Sequence, residues 1–104
     1  MARLDAVTVE VIRNGFLSVA NTMNNNLARA AYNPVIYEMK DCSVAIFDAG
    51  VRLLGQAPGL PIFVGGFDAA IECTLTHVGG ADTMRPRDIL IVNDSELVGS
   101  HLND

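Results

Sequence analysis

Positive charge, cysteine and long apolar runs are all scarce in this sequence. Seven basic residues stand against twelve acidic ones, for a net charge of −5 and a pI near 4.7. The cations are scattered from Arg3 to Arg87 and form no stripe, which argues against a nucleic-acid partner. Cys42 and Cys73 are too few for a disulfide framework and too far apart for a CxxC redox motif, so both are expected to be reduced core residues. No apolar run approaches the ~20 residues needed to span a bilayer. The N-terminus is interrupted by Asp5, Glu10 and Arg13 and lacks the pattern of a secretory signal. A cytoplasmic chain without membrane contact is the expectation.

What the chain does have is apolar residues, 50% of its 104 positions with only 18% charge. That excludes intrinsic disorder, which is charge-rich and apolar-poor. No glycine period or sustained heptad appears, so collagen-like and coiled-coil architectures are excluded as well. Area scaling for 11.1 kDa allows about 65% of the unfolded surface to be buried, enough for one modest core. The apolar surplus implies that other polypeptide covers part of the surface, so residues 1–104 are read as an incomplete part of a larger domain.

Asp5 to Tyr32 reads as a long helix. Ile12, Phe16, Val19, Met23, Leu27 and Ala30 recur at helical spacing and predict the packed stripe. Asp5 is placed to cap it, and Glu10 to sit near the positive end of its dipole. Gly15 and Asn24–Asn25–Asn26 weaken it, and Asn33–Pro34 ends it. Ser43–Asp48 and Val51–Leu54 flank Ala49–Gly50 as a β-hairpin, with Gly50 expected to supply the positive φ of the turn. The proline- and glycine-punctuated segment from Gln56 to Gly66 reads as a crossover loop, with a pocket lining as the alternative. A second helix is expected from Phe67 to Val78, stopped by Gly79–Gly80, with His77 solvated or capping at its end. Arg85–Pro86–Arg87–Asp88 is a turn, and Ile89–Val92 a short buried strand. The order helix, hairpin, helix, strand defines a mixed α/β (α+β) class.

Asn93 to Asp104 follows that apolar segment, where α/β proteins commonly place their chemistry. His101 and Asp104 have H-x-x-D spacing, which allows imidazole and carboxylate to turn toward one ion. The spacing alone is a weak signal, arising by chance about 0.15 times in a chain of this composition. Two ligands also fall short of the three that catalytic zinc sites usually take from protein.

The runs VTVEVIRNGF, ARAAYNPVIYEMKDCSVAIFDAGVRLLGQAPGLPIF and RPRDILIVNDSELVGSHLND together resemble the N-terminal part of the hydantoinase B/oxoprolinase family. The most specific match is N-D-x(4)-G-[ST]-H-x-x-D, met by Asn93, Asp94, Gly99, Ser100, His101 and Asp104. The resemblance implies a hydrolase of cyclic amides, of hydantoin or 5-oxoproline type, working with a hydantoinase A-type subunit or domain that binds and hydrolyses ATP. Acetone and acetophenone carboxylases are related, and they open the alternative of a ketone substrate. A non-catalytic assembly module is a further alternative. In the acetone carboxylase branch the H-x-x-D pair belongs to a metal site, which implies His101 and Asp104 as ligands of a divalent metal, Mn or Zn. No catalytic residue is assigned.

The sequence departs from the family pattern in places. Ser95–Glu96 replace a usual Pro-Tyr, Val98 replaces a glycine, and the segment from Gly59 to Phe63 lacks the histidines of many relatives. Arg87 stands where a glycine is usual, so a type I turn is expected there in place of a type II.

Overall fold

The computed structural model describes residues 3–59 and 65–98. They fall into two compact units, one within 1–64 and one within 65–104. The class is mixed α/β, with a long N-terminal helix and a two-stranded antiparallel hairpin. Among the described residues no helix is long and apolar enough to cross a membrane.

In the first unit, helix α1 spans Ala6–Ala30. Asp5 caps it: its carboxylate accepts from the Thr8 amide at 2.9 Å and from the Thr8 hydroxyl at 2.8 Å. Ala31 leaves the helix in extended conformation, and Asn33 caps a single turn, α2 (Pro34–Tyr37), with Pro34 at its start. Strands β1 (Ala45–Phe47) and β2 (Leu53–Gln56) pair with Ala45 opposite Gln56 and Ile46 opposite Gly55, and a bulge falls between Ile46 and Phe47.

Of the expected apolar stripe, Phe16 alone lies on the face that α1 packs on. Phe16, Ala20, Asn24 and Ala28 point inward at steps of four, and Ala20 is fully buried. Ile12, Val19, Met23 and Leu27, expected in the core, are 40–51% exposed. The reason lies in the approach of β2, the element α1 chiefly contacts. A Cβ at Gly55 would sit 2.9 Å from the carbonyl carbon of Phe16 and 3.0 Å from its oxygen. Strand backbone this close to helix backbone at Phe16 leaves room for a small residue, Ala20, one turn further on. The bulky stripe is displaced by about 100°, one residue's rotation, and left uncovered.

The hairpin turn is built by Asp48. Its Oδ1 accepts from the amides of Gly50 and Arg52, both at 2.9 Å, and its Oδ2 accepts from Arg52 Nε at 2.7 Å. The Val51 amide reaches the Asp48 carbonyl, and the Asp48 amide reaches the Arg52 carbonyl. This is a three-residue loop whose last residue must be left-handed, and that residue is Val51, at φ 57°, not Gly50. The Arg52 amide, first, and then its guanidinium hold the Asp48 carboxyl below the usual carboxylate range. A carboxyl depressed on folding contributes stability that is complete above its unfolded pKa, about 3.9, and is lost as pH falls through the lower folded value. Asp5 is depressed in the same direction, chiefly by the Thr8 amide. Order in the hairpin should therefore fade below about pH 4. Asp48→Asn should weaken the turn at neutral pH and flatten that acid dependence. Circular dichroism between pH 2 and 6 reads both, and an unchanged acid limb in the variant would contradict the assignment.

In the second unit, helix α3 spans Phe67–His77. Gly79 (φ 102°) and Gly80 (φ 106°) end it, with the Gly80 amide returning to the Leu75 carbonyl at 2.7 Å. His77 is the exposed last residue, as expected. Cys73 is exposed on the same helix and is no core residue, while Cys42 in the first unit is half-buried; both are free thiols.

The turn at 85–88 corrects the expectation of type I. Arg87 has φ 77°, the left-handed value that the third residue of a type II turn requires. Two contacts close the turn: the Asp88 amide donates to the Arg85 carbonyl at 3.1 Å, and the Arg85 amide to Asp88 Oδ2 at 2.8 Å. They hold arginine in a conformation costing ~1 kcal/mol or more. Arg87→Gly should raise stability by about 1 kcal/mol, less whatever glycine adds to unfolded-chain entropy. Chemical denaturation checks it, and a loss of stability would contradict the reading.

Ile89–Val92 is not the buried strand expected. It joins no sheet among the described residues, and Ile89 and Ile91 are 83% and 92% exposed. Leu90 and Val92, pointing the other way, line an open apolar cleft with Ile71, Leu75 and Met84. The alternation of a strand survives without a neighbouring strand to complete its hydrogen bonds. After it, Ser95–Val98 forms one helical turn, α4.

Candidate metal site

Asp94 shapes the approach to the motif. Its Oδ1 accepts from the amides of Glu96 at 2.9 Å and Leu97 at 3.2 Å, and its carbonyl accepts from Val98 at 3.0 Å. The carboxylate is thereby the N-cap of α4, satisfying amides that a helix start leaves open. Sequence reasoning took Asp94 as a motif member only; the local signal for its capping role was an aspartate immediately ahead of Ser95 and Glu96. Asn93 is exposed beside it.

Gly99, Ser100, His101 and Asp104 lie outside the described residues. Among the described residues, no group of three histidine, cysteine, aspartate or glutamate side chains converges as a metal site. The donor set of the pair is one imidazole nitrogen and one carboxylate oxygen. Those donors suit zinc, and the carboxylate equally suits manganese.

A second polar locus lies in the first unit. Cys42 Sγ donates to Asn24 Oδ1 at 3.7 Å, across to the inward face of α1. Beside it, Ser43 Oγ is buried with no hydrogen-bond partner among the described residues. Gly59 closes over both: a Cβ there would meet the Cys42 carbonyl oxygen at 3.0 Å and Ser43 Oγ at 3.2 Å. An unpaired buried hydroxyl costs about 1–3 kcal/mol, and nothing in the sequence singled Ser43 out.

The described elements define a mixed α/β chain whose last described turn, capped by Asp94, precedes the histidine–aspartate motif in sequence. The chain belongs to the hydantoinase B/oxoprolinase family, whose model matches residues 5–104. It is 32% identical over 102 residues to an uncharacterised protein of Methanocaldococcus jannaschii, covering 97% of this chain and 18% of that one. It is 32% identical to the 5-oxoprolinase PfmaA of Pestalotiopsis fici and 27% identical to the 5-oxoprolinase of Saccharomyces cerevisiae. In each of these two cases 97% of this chain is covered and 8% of the relative. The chain thus spans less than a fifth of the length of the relatives it matches. No solved structure matches it.

Proposed function

We propose that these residues form part of an ATP-dependent hydrolase that opens a cyclic amide of the hydantoin or 5-oxoproline type. The observation that carries the reading is the family match across residues 5–104, supported by the likeness to proteins named 5-oxoprolinase. The partner is a hydantoinase A-type ATPase subunit or domain. The amide ring is a poor electrophile, and ATP supplies the activation. Its γ-phosphoryl group passes to the ring carbonyl oxygen and ADP departs. Water then adds to the carbonyl carbon, the C–N bond breaks, the ring nitrogen takes a proton and phosphate leaves.

In this reading His101 and Asp104 hold a divalent metal, Mn or Zn. A bound metal supplies Lewis-acid polarisation of an oxygen at the reacting centre. Within this chain, Asp94 caps the helical turn that precedes the pair in sequence. Gly99 permits the backbone to come close to a ligand there.

The pair is shared with the acetone carboxylase branch, and that favours one competing reading, a carboxylase acting on a ketone. The complete protein and its ATPase partner, supplied with ATP, should convert 5-oxoproline or hydantoin to the opened acid in step with ADP release. Incorporation of labelled bicarbonate into a ketone, with both rings left intact, would overturn the hydrolase reading. ATP consumption without any organic product would overturn both and favour an assembly role.

A further inference from the structure

The C-terminal end of α1 and the return through α2 enclose an open cleft of about 640 Å³, lined by Asn25, Ala28, Arg29, Ala31, Tyr37 and Lys40. Four of these six carry hydrogen-bond donors on their side chains: a carboxamide, a guanidinium, a phenol and an ammonium. No carboxylate lines the cleft. The two ion pairs among the described residues are Arg13 with Glu10 and Arg52 with Asp48, so Arg29 and Lys40 are both without a counter-ion there. The side chains of Asn25 and Tyr37 also make no hydrogen bond among those residues. In an acidic chain, two unneutralised cations on one concave surface are not what solvation of a random surface provides. Glu38 and Asp41 flank Lys40 in sequence, yet neither lines the cleft nor lies within 4 Å of its ammonium.

The backbone fixes this grouping. Asn25 and Arg29 are one helical turn apart on α1, and Arg29 sits in its last turn, where the helix dipole favours a cation. Lys40 is held at φ 54°, a left-handed value uncommon for lysine, with the Asp41 amide tied to the Val35 carbonyl and the Cys42 amide to the Lys40 carbonyl. The hydrogen bonds of its neighbours thus set the direction in which the Lys40 side chain leaves the backbone.

We infer that this cleft binds the oxyanion group, carboxylate or phosphate, of a small molecule. Arg29 supplies a planar fork of N–H donors that matches two oxygens, Lys40 a point charge, and Tyr37 and Asn25 neutral donors. The cleft is open to water and its donors are exposed, so binding there is weak, and one exposed charge-assisted contact counts for little alone. The inference stands apart from the proposed ring-opening activity and uses none of its residues.

Lys40 is the single lysine of the chain, so amine labelling reads the site directly. The complete protein is reductively methylated, and modification of Lys40 is measured by peptide mass spectrometry against the N-terminal amine. Succinate and inorganic phosphate are compared with sodium chloride at matched ionic strength. At least one of the two oxyanions should slow Lys40 modification several-fold relative to the N-terminus, and which one does so identifies the group recognised. Arg29→Gln should abolish the protection, Arg29→Lys should keep part of it, and 6 M urea should remove it in every case. Equal protection by chloride would mean ionic screening and overturn the proposal. So would protection that survives Arg29→Gln, or no protection by either oxyanion.

Discussion

Replacing His101 or Asp104 by alanine in the complete, partnered enzyme should remove the divalent metal and lower ring-opening turnover by more than about 100-fold. Loss of an outer-shell partner alone typically costs 10–100-fold in affinity or activity, and a direct ligand should cost more. Metal content and turnover should fall together in both variants. If the proposed ATPase partner carries the phosphoryl-binding groups, ATP hydrolysis should continue, uncoupled from ring opening. Elemental analysis, product formation and ADP release measured on the same preparations separate these effects. Normal metal content with normal turnover in both variants would mean that the pair is structural.

Two glycines of the first unit should respond in opposite directions. At Gly55 any side chain meets helix backbone: the Phe16 carbonyl carbon and oxygen at 2.9 and 3.0 Å, and Phe16 Cβ at 3.1 Å. Backbone cannot rotate away as a side-chain tip can. Gly55→Val should therefore lift β2 off α1 and cost about 3 kcal/mol, the upper end of ordinary overpacking. That is a large fraction of the stability of a small unit whose buried residues among those described are Ala20 and Ala57. A Cβ added at Gly15, inside α1, would meet nothing within 4 Å, so Gly15→Ala should stabilise by about 1 kcal/mol through helix propensity. Urea denaturation followed by helical circular dichroism measures both. A tolerated Gly55→Val would contradict the close approach that explains the packed face of α1.

Local chemistry was legible in the sequence, and tertiary selection among its options was not. The limits of α1 and α3 follow from Asp5, Asn33–Pro34 and Gly79–Gly80, each acting on backbone within a few residues. The hairpin follows from two apolar runs around a short loop that Asp48 and Gly50 mark. Which face of α1 is packed does not follow from periodicity, because the close approach of Gly55 favoured alanine over the bulkier Val19 and Met23. Val51 and Arg87 hold left-handed conformations that residue type argues against, each fixed by an aspartate elsewhere in its turn. The histidine–aspartate pair was legible as a motif, through its resemblance to a family and not through spacing. The donors of the cleft at the end of α1 were invisible in sequence, since Tyr37 and Lys40 join Asn25 and Arg29 only once α2 folds back.

The uncovered apolar surface of these residues is what contact with other polypeptide would bury. The stripe Ile12, Val19, Met23 and Leu27 is uncovered, as are Ile89 and Ile91. Sedimentation equilibrium of the 104-residue chain, paired with a thermal melt, reads that surface most directly. The expected result is a mass well above 11.1 kDa or a broad, uncooperative transition. A monodisperse monomer that melts in a single cooperative step would contradict it.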